Sequence, residues 1–521
     1  MVKYVEFKLI FIFGLENIIN MAVITRIFSF RFASNPVSLT RQPASALLAA
    51  FVLVALAGPV FGGDVSKAVA KDNVPLQSSS IWNKPAWLTE VSLGIKECYD
   101  DNVYLSGVSH GDLPATYTVP GGSVAALENH SSWITTLSGK INLDFAPLIG
   151  NGKVLQSLSL GYAPDFVIYQ NAPAENDNLQ RFTAAIKGKT GDFSFNLDEA
   201  FTYINGSRYG PTYPGVLMSA YSTAAVRERR NQCQERANIL LQYDHDKWFA
   251  RPVATLLFYD MNTFQFLTKG YQNYINRYDV NGGADIGYKV FPKFALTVGY
   301  RYGHQEQAEF SFAPACVTLL GDQTLAAHSP NDYQRILFGF EGTPWKWLSV
   351  KFQGGPDFRN FASSAPLNDK NPISYFGEGS LTASVTRNDS ITFKYKQWEW
   401  VSSTGLTPYF DSNFDLAYTR KISKALSLTL GARAMGSDYN PNNVSATDAK
   451  ILGQRMDRND WEYTFSVGAQ YVFNSSLSVN LGYAYNLGIS AQEGLTGSAL
   501  TQYNPRSFDD QVVSLGATVK F

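Results

Sequence analysis

The stretch Gly107 to Gly111 reads GVSHG and matches the G-x-S-x-G pattern of serine nucleophiles. That chemistry needs the serine on a sharp turn between a strand and a helix, within reach of a histidine. The surrounding residues instead predict a long surface connection, with no helix after the motif. We therefore interpret the match as coincidental. The alternative, a hydrolase assembled from distant strands, would lose its activity on substitution of Ser109 or a histidine.

Side chains that bind metals or cofactors are few and widely spaced. The chain contains no H-E-x-x-H, Walker A or C-x-x-C pattern, and its five histidines lack ligand spacing. The sequence therefore predicts no catalytic, cofactor or metal site, and a protein that is not an enzyme. The histidines are His110, His130, His245, His304 and His328.

The three cysteines allow at most one disulfide bond. Cys233 and Cys316 both fall in predicted long connections, and Cys98 falls in the first predicted strand. In an oxidising compartment we expect Cys233 to pair with Cys316, with unpaired thiols as the alternative.

Composition narrows the class of protein. Aromatic residues make up 14% of the chain, and the formal net charge is only -1, which gives no indication of nucleic-acid binding. Outside the N-terminal region there is no apolar run long enough for a transmembrane helix. Many aromatics with modest hydrophobicity favour a transmembrane β-barrel, whose lipid-facing and lumen-facing residues average out.

The residues that could line a lumen must be positioned by strands, and the strand pattern is clearest at the end of the chain. In Gln511 to Phe521, apolar and polar residues alternate with period two. Eighteen such segments recur from Trp87 onward; the seventh and eighth are blurred, so sixteen is the fallback. Short connections alternate with long ones throughout, as periplasmic turns alternate with extracellular loops. We predict an all-β fold: an antiparallel up-and-down barrel of about 18 strands, with the first strand, near Trp87 to Tyr99, pairing with the last.

The N-terminal region predicts secretion. Ala46 to Phe61 is a compact apolar core that follows Arg31 and Arg41 and precedes small residues. We assign 1–63 to a signal peptide region, with Met21 as a possible true start, 64–86 to a short periplasmic leader, and 87–521 to the barrel. The leader has no room for a plug domain.

Polar residues opposite the lipid face carry both signs of charge, so the strands predict no strong ion selectivity. Lys394, Lys396, Trp398 and Trp400 share the lumen-facing parity of one strand. The two tryptophans have two interpretations: they stack on sugar rings along a permeation path, or they pack at the membrane interface or the base of a loop.

Two stretches resemble outer-membrane proteins. Glu97 to Ser106, which reads ECYDDNVYLS, is similar to the opening of β-barrel porins found in many Gram-negative bacteria. The terminal Phe521 resembles the closing residue of bacterial outer-membrane barrels, where it acts as an assembly signal. For Asp100, Asp101 and Asn102 we expect a strand end that turns into solvent; a cation site is the alternative.

The resemblance implies an outer-membrane porin for passive diffusion of small hydrophilic solutes; the alternative is a non-conducting barrel that serves as adhesin, receptor or scaffold. In porins a long third loop often narrows the lumen, which would place Arg227, Arg229 and Arg230 of the Asn205 to Gln234 connection at a constriction. Expected partners are outer-membrane lipid and lipopolysaccharide, the barrel-assembly machinery and the solutes. A homo-oligomer is expected only by analogy.

Overall fold

The computed structural model describes residues 84–105, 107, 116–119, 122–125, 130–149, 154–205, 231–262, 276–307, 329–363, 365, 367–401, 408–439, 458–490 and 507–521. In these ranges the chain forms twenty strands, a four-residue helix α1 (Ala146–Ile149) and a 3-10 turn (Pro173–Glu175). No helix in the described part is both long and apolar enough to cross a membrane. The strands are β1 (Leu88–Asp100), β2 (Thr116–Val119), β3 (Gly122–Ala125), β4 (Ser132–Asp144), β5 (Leu155–Tyr169), β6 (Asp177–Thr190), β7 (Phe193–Asn205), β8 (Asn231–His245), β9 (Trp248–Asn262), β10 (Arg277–Phe291), β11 (Phe294–Gln307), β12 (Asn331–Trp345), β13 (Leu348–Phe361), β14 (Ile373–Ser384), β15 (Asp389–Trp400), β16 (Tyr409–Lys421), β17 (Leu426–Tyr439), β18 (Arg458–Val472), β19 (Leu477–Ser490) and β20 (Phe508–Lys520).

Eighteen of these strands form a single closed antiparallel sheet. Each pairs with its neighbours along the chain, β2 and β3 form a separate hairpin, and β1 pairs with both β4 and β20. The backbone N–H of Phe521 donates a hydrogen bond of 2.9 Å to the carbonyl of Val91, which extends this seam by one residue. Closure gives each of the eighteen strands a paired neighbour on both sides, as hydrocarbon requires. The predicted count of 18 is confirmed, and the fallback of 16 is wrong.

The period-two alternation separates two surfaces. Leu93 and Ile95 on β1 are 59% and 49% exposed on the outside, whereas Ser92 and Cys98, which have the opposite parity, are buried. The same parity recurs around the barrel, and the outer face is dominated by exposed Leu, Ile, Val, Phe, Tyr and Trp. An apolar outer band is what a lipid-facing surface needs.

The connections also alternate in length. Seven hairpins on one rim have two- to four-residue turns, of which 191–192 begins with Gly191 at a φ of +57°. A left-handed residue of this kind matches the twist of paired strands in a two-residue turn. On that rim only 145–154 is longer, and it includes α1. The opposite rim carries the longer connections, so we call the two rims the short-turn rim and the long-loop rim.

Some predicted boundaries differ from those in the structure, and some predicted segments lie outside the described residues. β13 continues to Phe361, so the connection predicted from Gly354 to Pro372 is only 362–372. The signal peptide region and most of the leader lie outside the described residues, as does the G-x-S-x-G motif except Gly107. Those assignments remain predictions.

Candidate functional site

The end of β15 leaves the barrel wall and enters the lumen. We call Trp398–Val401 the inward segment. The Glu399 carbonyl accepts hydrogen bonds of 3.1 Å from Gln305 Nε2 on β11 and from Arg359 Nη2 on β13. The Val401 carbonyl accepts one of 2.7 Å from Arg277 Nη1 on β10. β10 and β15 are five strand spacings apart, roughly 24 Å along the wall, beyond the reach of an arginine side chain. The inward segment must therefore lie inside the barrel.

A charged network on the facing wall holds this segment. The side chain of Arg359 has 0% exposure. Its Nη1 donates to Gln305 Oε1 at 3.0 Å and to Asn331 Oδ1 at 2.8 Å. Its Nη2 donates to Asp357 Oδ2 at 2.8 Å, and the same oxygen accepts from Arg335 Nε at 2.9 Å. A buried arginine is tolerated only when most of its donors are satisfied in this way.

The network continues to β10 through a tyrosine. Tyr333, which is 1% exposed, donates from its hydroxyl to Asp279 Oδ1 at 2.7 Å, and Gln305 Nε2 donates to Asp279 Oδ2 at 2.8 Å. Tyr333 crosses β11 to make this contact, and a Cβ at Gly303 would overlap its ring. The glycine is thus required for a close approach. We call these groups on β10–β13, together with Glu399, the upper network.

A second cluster lies nearer the short-turn rim, and we call it the lower network. Arg251 on β9 bonds Asp285 at 3.1 Å through Nε and Glu341 at 2.7 and 2.9 Å through both terminal nitrogens. Arg301 Nη2 lies 2.7 Å from the other Asp285 oxygen. Two arginines face two carboxylates, so the lower network is balanced in charge. We interpret it as the packing of one wall and not as a source of ion selectivity.

Arg277 connects the inward segment to the wall. Its guanidinium carbon lies 4.7 Å from the Trp400 ring centroid and 5.0 Å from that of Tyr259. Its Nη1 also donates to the Tyr409 hydroxyl at 3.1 Å. An arginine between two aromatic faces is stabilised by cation–π attraction in addition to its hydrogen bonds. Trp400 is buried in this packing, and Lys396 Nζ lies 4.6 Å above the Trp398 ring.

The wall away from both networks is open to solvent. Asp415 on β16 and Arg433 on β17 face the lumen, since their positions alternate with the lipid-facing Leu416 and Leu430. Their ion pair is 3.6 Å long, and the side chains are 51% and 50% exposed. Lys96 on β1 is also exposed on this side. The lumen thus has one packed wall and one wet wall, which is an arrangement suited to a narrowed aqueous path.

The predicted cation site lies at the seam that closes the barrel. Carboxylate oxygens of Asp100, Asp101 and Asp510 lie within 4.8 Å of one another. Asp101 Oδ1 accepts from the Gln511 N–H at 2.6 Å, and Asn102 Nδ2 donates to the Asp509 carbonyl at 2.8 Å. Asp101 and Asn102 therefore fix β20 against β1 rather than simply turning into solvent. Burial, opposed by the Gln511 N–H and reinforced by the charges of Asp510 and Asp509, raises the pKa of Asp101.

Several predicted site residues are not among those described. Arg227, Arg229 and Arg230 lie outside, as does Cys316, the expected partner of Cys233. Of the predicted lumen residues, Lys394 and Lys396 share the parity opposite to the exposed Phe393. The sequence predicts charges of both signs on the lumen face but does not reveal the upper network, because its members come from five strands and only the register brings them together.

The closed strands, the apolar outer surface and the charged interior define a transmembrane β-barrel of the outer-membrane type. No family model and no curated protein matches the chain. Among solved structures it is similar to the ferric citrate transporter FecA in the unliganded form, at 9% identity and a TM-score of 0.38, covering 84% of this chain and 79% of that one. It is also similar to OccAB3 of Acinetobacter baumannii, at 12% identity and a TM-score of 0.35, covering 83% and 99%. OpdK of Pseudomonas aeruginosa, solved with vanillate, has 11% identity and a TM-score of 0.37, covering 83% and 98%. These likenesses are too distant to indicate a solute, so the assignment to a class rests on the strand pairing and surfaces of this chain.

Proposed function

We propose that this barrel is an outer-membrane porin that lets small hydrophilic solutes diffuse through an aqueous path along the wet wall of its lumen. The observation that carries the proposal is the Asp415–Arg433 pair, whose two lumen-facing side chains are each about half exposed. Water must reach them inside the barrel, because charges at this depth are not tolerated in a dry environment.

The packed wall supports the proposal by setting where the path narrows. The inward segment and the upper network occupy the side of the lumen next to β10–β13, and their contacts are largely satisfied within the protein. Solutes would pass between this obstruction and the residues of β16, β17 and β1. The predicted constriction by Arg227, Arg229 and Arg230 would add a mild preference for anions.

Conductance in planar bilayers tests the proposal. The purified protein is expected to give stepwise currents, and replacing Arg433 with Gln should shift the reversal potential under a salt gradient toward cation preference. Arg420 on β16 supplies the matched control, because it shares the lipid-facing parity of Leu416 and Tyr418 and is exposed. Arg420→Gln should leave the reversal potential unchanged.

Two results would contradict this function. A wild-type protein that inserts fully but carries no current would favour the non-conducting adhesin, receptor or scaffold. Equal shifts of the reversal potential in Arg433→Gln and Arg420→Gln would show that the ions do not pass along the wet wall. Delivery by a signal peptide, folding by the barrel-assembly machinery and contact with lipopolysaccharide belong to the same proposal.

A further inference from the structure

The inward segment leaves an opening in the barrel wall. β14 pairs with β13 as far as Ile373, but its described pairing with β15 stops at Gly377 opposite Gln397. Four residues of β14, Ile373 to Phe376, thus face no β15 partner. In the same stretch β15 remains paired with β16 up to Trp400 opposite Tyr409. β16 is in turn paired with β17 as far as Phe410 opposite Asp438, so β15 stays attached on its β16 side and β14 is left as a local edge near the long-loop rim.

Two cavities occupy this opening and the outer surface beside it. The smaller has a volume of about 160 Å³ and contacts Ser374, Tyr375, Glu399 and Phe410. The larger, about 370 Å³, is lined by the same Tyr375 and Phe410 and extends outward across β17 and β18 to Trp461. The two cavities meet at the shared rings. Trp461 has the parity of the exposed Phe465, and Tyr375 is 67% exposed, so the larger cavity opens on the lipid-facing surface.

The polar groups around these cavities include two buried acceptor atoms and an exposed carboxylate. Asn459 lines the larger cavity, and its Oδ1 is buried with no hydrogen-bond partner among the described residues. Glu399 lines the smaller one, and its Oε2 is likewise buried with no hydrogen-bond donor there, at 3.6 Å from Arg359 Nε. The Asp438 carboxylate lies at the mouth of the larger cavity and is exposed. The Arg359 guanidinium faces the Glu399 oxygen, whereas the Asn459 oxygen has no such partner among the described residues; a buried acceptor without a donor is costly and rare, which points to a ligand that supplies one.

The aromatic groups give the larger cavity a flat apolar side. A Cβ at Gly436 would lie 2.7 Å from the Trp461 ring, so this ring covers the glycine closely. The Trp461 ring stacks against Tyr463 at 5.9 Å between centroids, and it lines the cavity together with Tyr375 and Phe410. A flat aromatic face beside amide and carboxylate acceptors complements a sugar ring, whose hydroxyls donate hydrogen bonds and whose C–H face is apolar.

We propose that the opening between β14 and β15 is a lateral binding site for the sugar headgroup of a glycolipid in the leaflet on the long-loop side. A volume of about 370 Å³ is within the range of small-ligand pockets. The lipid-facing mouth selects a ligand that reaches the site from the membrane and not from the lumen. The site does not depend on whether the barrel conducts.

Native mass spectrometry of the full chain in phosphatidylcholine nanodiscs tests this site, with a galactosyl diacylglycerol as the probe. Wild-type protein is expected to retain one glycolipid in preference to phosphatidylcholine. Asp438→Asn and Asn459→Leu should each weaken retention about tenfold, because each removes an acceptor with little change in volume. Asp260→Asn is the matched control, since Asp260 is also a lipid-facing aspartate near the long-loop rim, on β9. It should retain the glycolipid as the wild type does.

Three further comparisons distinguish between the classes of ligand that could occupy the site. Soluble methyl galactoside, added at the same concentration as the glycolipid, should not displace it. Displacement by the soluble sugar would contradict the proposal that the ligand enters the site from the membrane. Preferential retention of phosphatidylethanolamine would contradict the sugar assignment. Equal losses in Asp260→Asn and Asp438→Asn would show general lipid contact and would overturn the site. Resistance to unfolding in detergent checks that each variant forms the barrel.

Discussion

Replacing Arg359 with Met is expected to release the inward segment. Methionine keeps much of the apolar volume of the arginine stem but removes its charge and all its hydrogen bonds. The variant loses the contacts to Gln305, Asn331 and Asp357, at 2.8 to 3.0 Å, and the 3.1 Å contact to the Glu399 carbonyl. Asp357 keeps Arg335, but Glu399 loses its 3.6 Å ion pair with Arg359.

The magnitude follows from burial. Removing one partner of a buried ion pair costs about 3–5 kcal/mol, because the other charge remains in the protein interior. Arg433→Met is the matched control: its partner Asp415 is 3.6 Å away and both side chains are half exposed. An exposed pair of this kind contributes about 0–1 kcal/mol. The free energy of unfolding should therefore fall by several kcal/mol in Arg359→Met and hardly at all in Arg433→Met.

Two assays check this prediction. Urea unfolding of the reconstituted barrel reports the change in stability, and single-channel recording reports the path. Arg359→Met should raise the conductance, since the inward segment loses one of its three carbonyl contacts to the facing wall and part of the network around Gln305. Arg433→Met should leave the cross-sectional area of the aqueous path unchanged. If the two variants unfold at the same urea concentration and conduct equally, the upper network does not hold the inward segment.

Four further predictions concern the seam, the termini and the loops. Because the pKa of Asp101 is raised in the folded state, ionisation of Asp101 lowers the free energy of unfolding as the pH rises from the ordinary pKa of an aspartate through the raised one. Urea unfolding should therefore show the stability of Asp101→Asn increasing relative to that of the wild type between acid and neutral pH. A stability difference that stays constant over this range would contradict the prediction. Deleting Phe521 removes its 2.9 Å bond to the first strand and should lower the yield of inserted protein, which immunoblots of membrane fractions would measure against the full-length chain. A tag in 440–457 should be labelled on intact cells and one in 473–476 should not; the reverse would invert the topology. Replacing the three arginines of 227–230 with Gln should reduce anion preference at low salt, and an unchanged reversal potential would mean that this loop stays outside the path.

The sequence by itself determined the barrel. In each strand the period-two alternation of apolar and polar residues indicates which side chains face lipid and which face the lumen, and this pattern is local to the strand. All eighteen predicted segments correspond to the eighteen barrel strands, from the first, predicted near Trp87 to Tyr99, to the last, predicted at Gln511 to Phe521. The alternation of short and long connections is equally local, since it is read from the spacing between segments.

Only the tertiary structure decided which lumen residues meet. Asp279, Gln305 and Tyr333 come from three strands and are joined because the register places Asp279 opposite Gln305 and Gly303 opposite Tyr333. No local pattern records that register, since shifting a strand by two residues preserves every face.

The same reason explains the inward segment. Length led us to expect a constriction from the 30-residue connection at Asn205 to Gln234, which lies largely outside the described residues. The structure places Trp398–Val401 inside the lumen, although the connection that follows, from β15 to β16, is short. What holds it there is the set of arginines on the facing wall, chiefly Arg277 and Arg359. Their distance from β15 is set by barrel closure, which no local stretch of sequence contains.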